Sequence, residues 1–174
     1  MLSIAYVGFG ANLGDPEITF DKAIEKIEAL DNVAVTNVSS LYKTDPVGLQ
    51  DDGPEFLNAV LEIRTSLSPF DLIHHLRKIE RSLGKKRCHK SDRSRKIDLD
   101  LLLFGDKSFW SKTLEVPHPR MNNRGFVMVP LVEIAPDFVH PVLKMTLRNM
   151  LDILTPDEKN GVRRLRSVNP REVI

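Results

Sequence analysis

A short apolar segment that carries two acidic residues places the strongest constraint on this fold. Residues 97–104 read Ile-Asp-Leu-Asp-Leu-Leu-Leu-Phe and end at Gly105, which is the pattern of a buried strand. Because side chains alternate between the two faces of a strand, Asp98 and Asp100 point to the same side. Two neighbouring carboxylates on such a strand repel each other and resist desolvation, so they need compensating positive charge.

Two interpretations of the acidic pair are open at this point. Asp98 and Asp100 could lie on a solvent-exposed face and simply be hydrated. Alternatively, they could bind a divalent cation. Two oxygen ligands suit Mg²⁺, which keeps several waters and takes further ligands from substrate phosphates.

A strongly basic segment directly precedes the acidic strand. Seven of the twelve residues 85–96 are Lys or Arg, and one is Asp. A cationic loop beside metal-binding carboxylates suits a polyphosphate substrate, because metal and side chains then neutralise the phosphates from two sides. The same composition is also typical of nucleic-acid-binding and nuclear-targeting segments.

Composition limits the class of protein. The 174 residues carry a net charge of +1, with 41% hydrophobic and 28% charged residues, which predicts one globular domain and not a general polyanion binder. The single cysteine, Cys88, excludes an internal disulfide and favours a reducing, cytoplasmic location. We expect no signal peptide and no membrane-spanning segment.

The order of the elements predicts an α+β fold with a ferredoxin-like βαββαβ core. Strands are predicted at 3–9, 33–42, 56–65 and 97–104, and helices at 16–31 and 69–83. This order predicts an antiparallel sheet with both helices on one face. Additional C-terminal elements are predicted as a strand at 109–116 and helices at 124–134 and 146–154. We expect one domain over 1–154 and a basic, loosely held C-terminal tail over 155–174.

Three glycines lie at the end of the first predicted strand and just after it. Gly8, Gly10 and Gly14 invite a dinucleotide-binding interpretation, but the last glycine falls one position late and no acidic residue ends the second strand. We expect instead that the glycines let the backbone approach a flat ligand, with Asn12 offering its side-chain amide.

Five groups of residues along the chain together resemble one enzyme family. They are Gly10-Ala11-Asn12-Leu13-Gly14, Tyr42-x-Thr44-x-Pro46-x-Gly48, Phe56-Leu57-Asn58, Arg95-x-x-Asp98-Leu99-Asp100, and Val116-Pro117-His118 through Asn123-Arg124-Gly125-Phe126. Over roughly residues 3–141 the chain closely resembles the 6-hydroxymethyl-7,8-dihydropterin pyrophosphokinases of folate biosynthesis. The resemblance implies transfer of pyrophosphate from ATP to the pterin hydroxymethyl group, release of AMP and the use of two Mg²⁺ ions.

The resemblance also implies roles for individual residues. Asp98 and Asp100 would hold both magnesium ions and would act in catalysis together with Arg87 and Arg95. The pterin pocket would be formed by Gly10, Thr44, Pro46, Val47, Phe56, Asn58 and Phe126, with the two phenylalanines on either side of the ring. ATP would be contacted by Glu80, Arg87, Arg95, Leu101, His118 and Arg124.

The basic segment departs from the family pattern. The family's loop aromatic, usually Trp, and the small residue after it are absent, since these positions read Asp92, Arg93 and Ser94. The first arginine of the family's Gly-Arg-x-Arg is Lys85, which replaces a bidentate group by a point charge. We therefore expect weaker closure of this loop over the pterin.

Two other functions stay open on the sequence alone. A ferredoxin-like sheet with basic loops could bind RNA, although the acidic pair and the near-neutral net charge weigh against it. The second open function is that of a relative of the family that binds pterin or nucleotide without turnover. We expect ATP and the pterin as partners, no nucleic acid and no membrane, and the next folate-pathway enzyme as a candidate protein partner.

Overall fold

A sheet with helices on both faces forms the centre of the molecule. The computed structural model describes residues 2–45, 53–85, 95–159 and 161–168. The strands are β1 (Ser3–Ala11), β2 (Val33–Val38), β3 (Leu41–Thr44), β4 (Phe56–Thr65), β5 (Asp98–Phe104), β6 (Phe109–Trp110), β7 (Glu115–Val116) and β8 (Arg163–Arg166). The helices are α1 (Pro16–Glu28), α2 (Pro69–Ser82), α3 (Gly125–Ile134), α4 (Leu147–Ile153) and α5 (Pro156–Lys159), and a 3₁₀ turn spans Met121–Asn123.

The main sheet is antiparallel throughout. Its strands run in the order β5-β1-β4-β3-β8, and β2 also pairs with β4. The prediction of an antiparallel sheet combined with helices is confirmed. Within the described part of the chain, no helix is long and apolar enough to cross a membrane.

Helices α1 and α2 cover the first face of the sheet. Each begins at a capping side chain that accepts backbone hydrogen bonds, Asp15 from Ile18 N at 3.1 Å and Ser68 from Asp71 N at 3.1 Å. Their inward residues are fully buried against alternate residues of β1 and β4: Phe20, Ile24, Ile27, Leu72 and Leu76 against Ala5, Val7, Leu61 and Ile63. Burial of each large side chain contributes about 1.5–3 kcal/mol, so this core anchors the sheet.

Helices α3 and α4 cover only part of the second face. They form a separate core with the sheet, built from Tyr6, Val60, Leu102, Leu103, Met128, Leu131, Leu147 and Met150. A β-bulge assists, because Val7 pairs with Leu101 whereas Tyr6 pairs with Leu103, which leaves Leu102 as an extra residue. The bulge brings two successive leucines into the second core. The rest of this face stays open beside β1, β4 and β5.

The strand predicted over 33–42 is wrong in one respect, since it is broken into β2 and β3. At the break, Ser39 N donates to Val60 O at 2.9 Å, while Ser39 Oγ accepts from Val60 N at 2.9 Å. Ser40 N donates to Glu133 on α3 at 2.8 Å. Serine side chains thus compete with the regular ladder, an effect that strand propensity does not reveal.

Two other boundaries differ from the prediction. Residues 109–116 do not form one strand but the short hairpin β6–β7, in which Phe109 pairs with Val116. Helix α1 ends three residues earlier than predicted, at Glu28, and the chain then turns through Asn32, whose φ is +64°. A short polar residue tolerates this left-handed conformation, which turns the chain towards β2.

Residues 155–174, which the sequence predicts to be a loosely held tail, contain helix α5 and strand β8 within their described part. Strand β8 pairs with β3 at the edge of the sheet. All four residues of β8 are exposed, so the strand lacks the apolar alternation by which sequence reveals strands. Residues 169–174 lie outside the described residues.

Gly125 controls how the C-terminal segment joins the rest of the fold. A Cβ atom here would overlap the carbonyl oxygen of Glu158 and lie 3.0 Å from its carbonyl carbon. We predict that Gly125→Ala displaces α5 and destabilises the protein by about 1–3 kcal/mol. Urea unfolding measures the loss of stability, and hydrogen exchange of β8, the strand that follows α5, reports the displacement. Gly8→Ala is the control, because its Cβ would meet only the flexible Leu102 side chain, at 3.4 Å; equal losses in both variants would contradict the prediction.

Candidate active site

A cavity of about 960 Å³ occupies the open part of the second face. Strands β1, β4 and β5 form its floor, and the start of α3 and the α5 region form its walls. Ten residues proposed from the sequence line it: Gly10, Thr44, Phe56, Asn58, Arg95, Asp98, Asp100, His118, Arg124 and Phe126. The fold therefore brings these dispersed residues together in one place.

The strand register aligns the polar groups on the cavity floor. Gly10 pairs with Asn58 on one side and with Asp98 on the other. Since neighbouring strands lie about 4.8 Å apart, the row places Asn58 and Asp98 about 10 Å apart in their backbones. Gly8 pairs likewise with Asp100. The two glycines leave the floor free of side chains between an amide and a pair of carboxylates.

Asp98 is held by two cations. Lys85 Nζ lies 2.7 Å from Asp98 Oδ1, and Arg95 donates to Asp98 Oδ2. Burial alone would raise the pKa of Asp98, but Lys85 and then Arg95 outweigh it and lower that pKa. Asp98 is therefore ionised at neutral pH and ready to act as an oxygen ligand.

Asp100 is compensated less well. Burial and the charge of Asp98 raise its pKa, against the weaker opposing influence of His118, Lys85 and Arg124. His118 Nε2 lies 3.9 Å from Asp100 Oδ2. The uncompensated negative charge of Asp100 therefore favours binding of a cation in the cavity.

His118 is neutral in this environment. Its backbone N donates to Leu102 O at 2.9 Å, and its Nδ1 accepts from Arg120 N at 3.2 Å. That hydrogen bond assigns the proton of the neutral ring to Nε2, on the side of Asp100. Burial, then Arg124 and Arg120, lower the pKa of His118 more than Asp100 raises it. The ring thus offers one N–H donor to the cavity.

Two further groups are oriented at the opposite end. Asn58 Nδ2 donates to Thr44 Oγ1 at 2.8 Å, and both residues are buried. A Cβ on Gly10 would lie 3.4 Å from Asn58 Oδ1, so the amide oxygen faces the open floor. Arg124 lies 5.5 Å from the centre of the Phe126 ring, a cation–π contact that holds both at the wall.

The sequence led us to expect that Asn12 offers its side-chain amide to a ligand, but the amide bonds to the protein backbone instead. Its Oδ1 accepts from Arg95 N at 2.7 Å, and its Nδ2 donates to Pro54 O at 3.3 Å. Its backbone N also donates to Arg95 O at 3.0 Å. Asn12 therefore fixes the backbone of Arg95, whose guanidinium contacts Asp98.

Two proposed ATP contacts lie away from the cavity lining. Glu80 is 5% exposed beneath β5, where it accepts from Leu99 N at 2.7 Å and from Lys85 Nζ at 2.6 Å. Burial raises the pKa of Glu80 despite these bonds. Leu101 is buried in the core under α1 and α2. Pro46, Val47 and Arg87, and residues 86–94 of the basic loop, lie outside the described residues.

Several cavity residues were missed by the sequence analysis. Arg120 lines the cavity two positions after His118, and its place beside a proposed phosphate-binding histidine was an available signal. Asp157, Glu158 and Val162 also line it. They reach the cavity because α5 packs on the start of α3 at Gly125, a contact that no local pattern reveals.

The donor set suits a cation that binds only a few protein ligands. In the described ranges, no group of three or more His, Cys, Asp or Glu side chains is arranged to hold a metal ion. Asp98 and Asp100 supply two carboxylates on one face of β5, which fits Mg²⁺ with waters and phosphate oxygens as its other ligands.

Glu80 supports the acidic strand from below. We predict that Glu80→Ala destabilises the protein by about 1–3 kcal/mol, because it leaves the buried Leu99 N–H without an acceptor. Glu80→Gln keeps an acceptor and should lose less. Urea unfolding measures both, with the exposed helix residue Glu25→Ala as control. Equal stability of the Ala and Gln variants would contradict this role.

Comparison with known proteins shows the family to which the chain is similar. A family model described as 7,8-dihydro-6-hydroxymethylpterin-pyrophosphokinase matches residues 6–136. Two curated relatives are named 2-amino-4-hydroxy-6-hydroxymethyldihydropteridine pyrophosphokinase. The one from Bacillus subtilis is 45% identical over 134 residues, covering 77% of this chain and 79% of the relative. The one from Haemophilus influenzae is 42% identical over 137 residues, covering 79% and 84%.

Solved structures agree at the level of the fold. The Plasmodium falciparum HPPK-DHPS chain in complex with pteroate has a TM-score of 0.73 and 14% identity; the match covers 94% of this chain and 46% of that one. This chain thus spans less than half of that longer protein. Taken with the sequence matches, the chain belongs to the 7,8-dihydro-6-hydroxymethylpterin-pyrophosphokinase family.

Proposed function

We propose that the protein transfers pyrophosphate from ATP to the hydroxymethyl group of 6-hydroxymethyl-7,8-dihydropterin and releases AMP, a step of folate biosynthesis. The observation that carries this proposal is the row Asn58–Gly10–Asp98 across the cavity floor, with Asp100 beside it. The row joins a group that can read a heterocyclic edge to a group that can hold a phosphate-bound cation. The names of relatives 42–45% identical to the chain support the same activity.

The pterin binds at the Asn58 end. The amide of Asn58 offers a donor and an acceptor side by side, which matches the paired polar edge of a pterin. Thr44 fixes that amide through its 2.8 Å hydrogen bond. Phe56 and Phe126 line the same cavity, and we infer that they contact the two faces of the ring. Pro46 and Val47 stay predicted contacts.

The triphosphate of ATP binds at the cationic end. Arg95, His118, Arg120 and Arg124 line this part of the cavity, and Arg87 stays a predicted contact. The hydroxymethyl oxygen attacks the β-phosphorus and its proton passes to water. The bond from that phosphorus to the oxygen bridging to the α-phosphate breaks, and AMP leaves with the electron pair. The arginines stabilise the charge that develops on the phosphate oxygens.

Asp98 and Asp100 fit the magnesium that accompanies ATP. Mg²⁺, of which we propose two ions, would neutralise phosphate charge and fix the geometry of the triphosphate. Asp98 is already ionised, and Asp100 carries the charge that the protein leaves uncompensated. Lys85 and Arg95 share Asp98, so they also supply positive charge to the same end of the cavity.

Two further assignments accompany this function. We infer a ferredoxin-like core, which is supported by the strand order β5-β1-β4 followed by β2 and β3, with α1 and α2 on one face. We also infer a cytoplasmic location, for which the single cysteine argues. The next folate-pathway enzyme stays a candidate partner, since the similar solved structures are those of HPPK-DHPS chains.

The direct test measures nucleotide products with ATP and Mg²⁺, in the presence and absence of 6-hydroxymethyl-7,8-dihydropterin. We expect AMP that forms only when the pterin is present. Release of ADP would place the attack at the γ-phosphorus and refute the proposed transfer. Binding of both substrates without cleavage would indicate a relative that has lost turnover.

Substitution of either aspartate separates catalysis from folding. We predict that Asp98→Asn and Asp100→Asn each lower kcat by at least about a thousandfold, because several kcal/mol of charge stabilisation is lost. Since the pKa of Asp100 is raised in the folded state, its ionised form destabilises the fold at neutral pH. Asp100→Asn should therefore be inactive but at least as stable as the parent.

The control for these variants is Asp106→Asn, at the exposed turn after β5. It should retain parental turnover. Urea unfolding at neutral pH and the AMP assay give the two readouts. A variant of Asp98 or Asp100 with normal turnover would refute the metal assignment. An unfolded Asp100→Asn variant would contradict the inference that ionised Asp100 destabilises the fold.

A further inference from the structure

An arginine of the edge strand β8 joins the two strands that form the pterin end of the cavity. Arg163 Nη1 donates to Asp45 Oδ2 at 3.1 Å, and Nη2 donates to Asp45 Oδ1 at 2.9 Å. Nη2 also donates to Glu55 Oε1. The guanidinium therefore bridges two acidic residues, one of them bidentately.

The two carboxylates adjoin residues that line the pterin end. Asp45 directly follows Thr44, and Glu55 directly precedes Phe56. Thr44 and Phe56 pair with each other across β3 and β4, and Asp45 itself lines the cavity. Because Thr44–Phe56 is the last pair of the β3–β4 ladder, the bridge just beyond it restrains how far the two strands separate at Thr44 and Phe56, and with Thr44 the hydrogen bond that orients Asn58.

We propose that Arg163 is a positioning residue for the pterin: by bridging Asp45 and Glu55 it sets the spacing of Thr44 and Phe56 at the pterin end of the cavity. This inference rests on the proposed function. It extends that function to a residue outside the 6–136 range of the family match.

The bridge suits positioning better than stabilisation. The side chains of Arg163, Asp45 and Glu55 are 51%, 57% and 42% exposed, and exposed ion pairs add little to the free energy of unfolding. The planar guanidinium nevertheless fixes the geometry of the groups that it bridges. Arg163 lowers the pKa of Asp45, and Lys43 together with Arg163 lowers that of Glu55, so both acids are charged at neutral pH.

The surrounding chain holds Arg163 in place. Strand β8 pairs Arg163 with Lys43 of β3. Gly161, at φ +75°, lets the chain pass close to Asp45: a Cβ there would lie 2.9 Å from Asp45 Oδ2. Val162 lines the cavity next to this contact. The backbone on both sides of Arg163 thus contacts the protein and holds the residue beside Asp45.

The first test compares Arg163→Ala with Arg166→Ala. Arg166 is the matched control, because it lies on the same strand, is similarly exposed, and pairs with Glu17 of α1 at 2.9 Å, outside the cavity lining. With a saturating non-hydrolysable ATP analogue, we expect Arg163→Ala to bind 6-hydroxymethyl-7,8-dihydropterin about threefold to tenfold more weakly. Affinity for the ATP analogue and the urea midpoint should stay parental, and Arg166→Ala should be parental throughout.

Two further measurements distinguish positioning from a general structural effect. Arg163→Lys keeps the charge but not the planar fork, so its pterin affinity should fall between those of the parent and Arg163→Ala. Because the pterin is uncharged near neutral pH, salt affects its binding mainly through the bridge. Raising the salt concentration should weaken pterin binding in the parent and leave Arg163→Ala nearly unchanged.

The outcomes separate the inference from the function on which it rests. A parent that releases no pterin-dependent AMP would refute the proposed function. An active parent whose pterin affinity is unchanged in Arg163→Ala would overturn the inference alone. Equal losses for pterin and ATP, or equal losses in Arg163→Ala and Arg166→Ala, would also overturn it, because they would show an effect on the fold as a whole.

Discussion

The repulsion between two carboxylates on one face of β5 is the constraint on which the rest of the site depends. The protein does not remove it but distributes compensation unequally. Glu80, below the strand, holds both Leu99 N and Lys85 Nζ, and Lys85 returns to Asp98. The negative charge of Asp98 is thereby compensated by a cation of the protein itself, whereas the pKa of Asp100 stays raised. The negative charge that remains uncompensated, on Asp100, lies where the proposed triphosphate-bound cation would bind.

The same alternation that pairs the carboxylates also explains the cavity. On β1, Ala5, Val7 and Phe9 face the first core, so Gly8 and Gly10 face the second side and expose the floor next to Asp100 and Asp98. Helices α3 and α4 bury part of that side and leave the rest open. One sheet thus supplies a rigid core on one face and a binding floor on the other, which keeps the polar row in a fixed register.

Local patterns predicted what local geometry determines. The Asp-x-Asp spacing on an apolar run placed Asp98 and Asp100 correctly on one face, and helix periodicity found α1 and α2. The resemblance brought in Asn58, His118 and Arg124, which the fold gathers in one cavity. The environments of Glu80 and Asn12 could not be predicted, because their partners lie up to 83 residues away. The break at Ser39 and the strand β8 likewise arise from contacts between distant segments.

Strand β8 shows how an edge strand without apolar alternation is specified. Its arginines pair with acids on different elements, Arg163 with Asp45 and Glu55, Arg164 with Glu133, and Arg166 with Glu17. Each exposed pair is weak, but a shifted register would break all of them together with the backbone ladder to β3. The proposed phosphate end of the cavity lies within the 6–136 range of the family match, whereas the proposed pterin end also includes residues of the segment after it. The proposed function therefore implies that changes in that segment can alter pterin recognition without disturbing the two carboxylates proposed to hold the phosphate-bound cation.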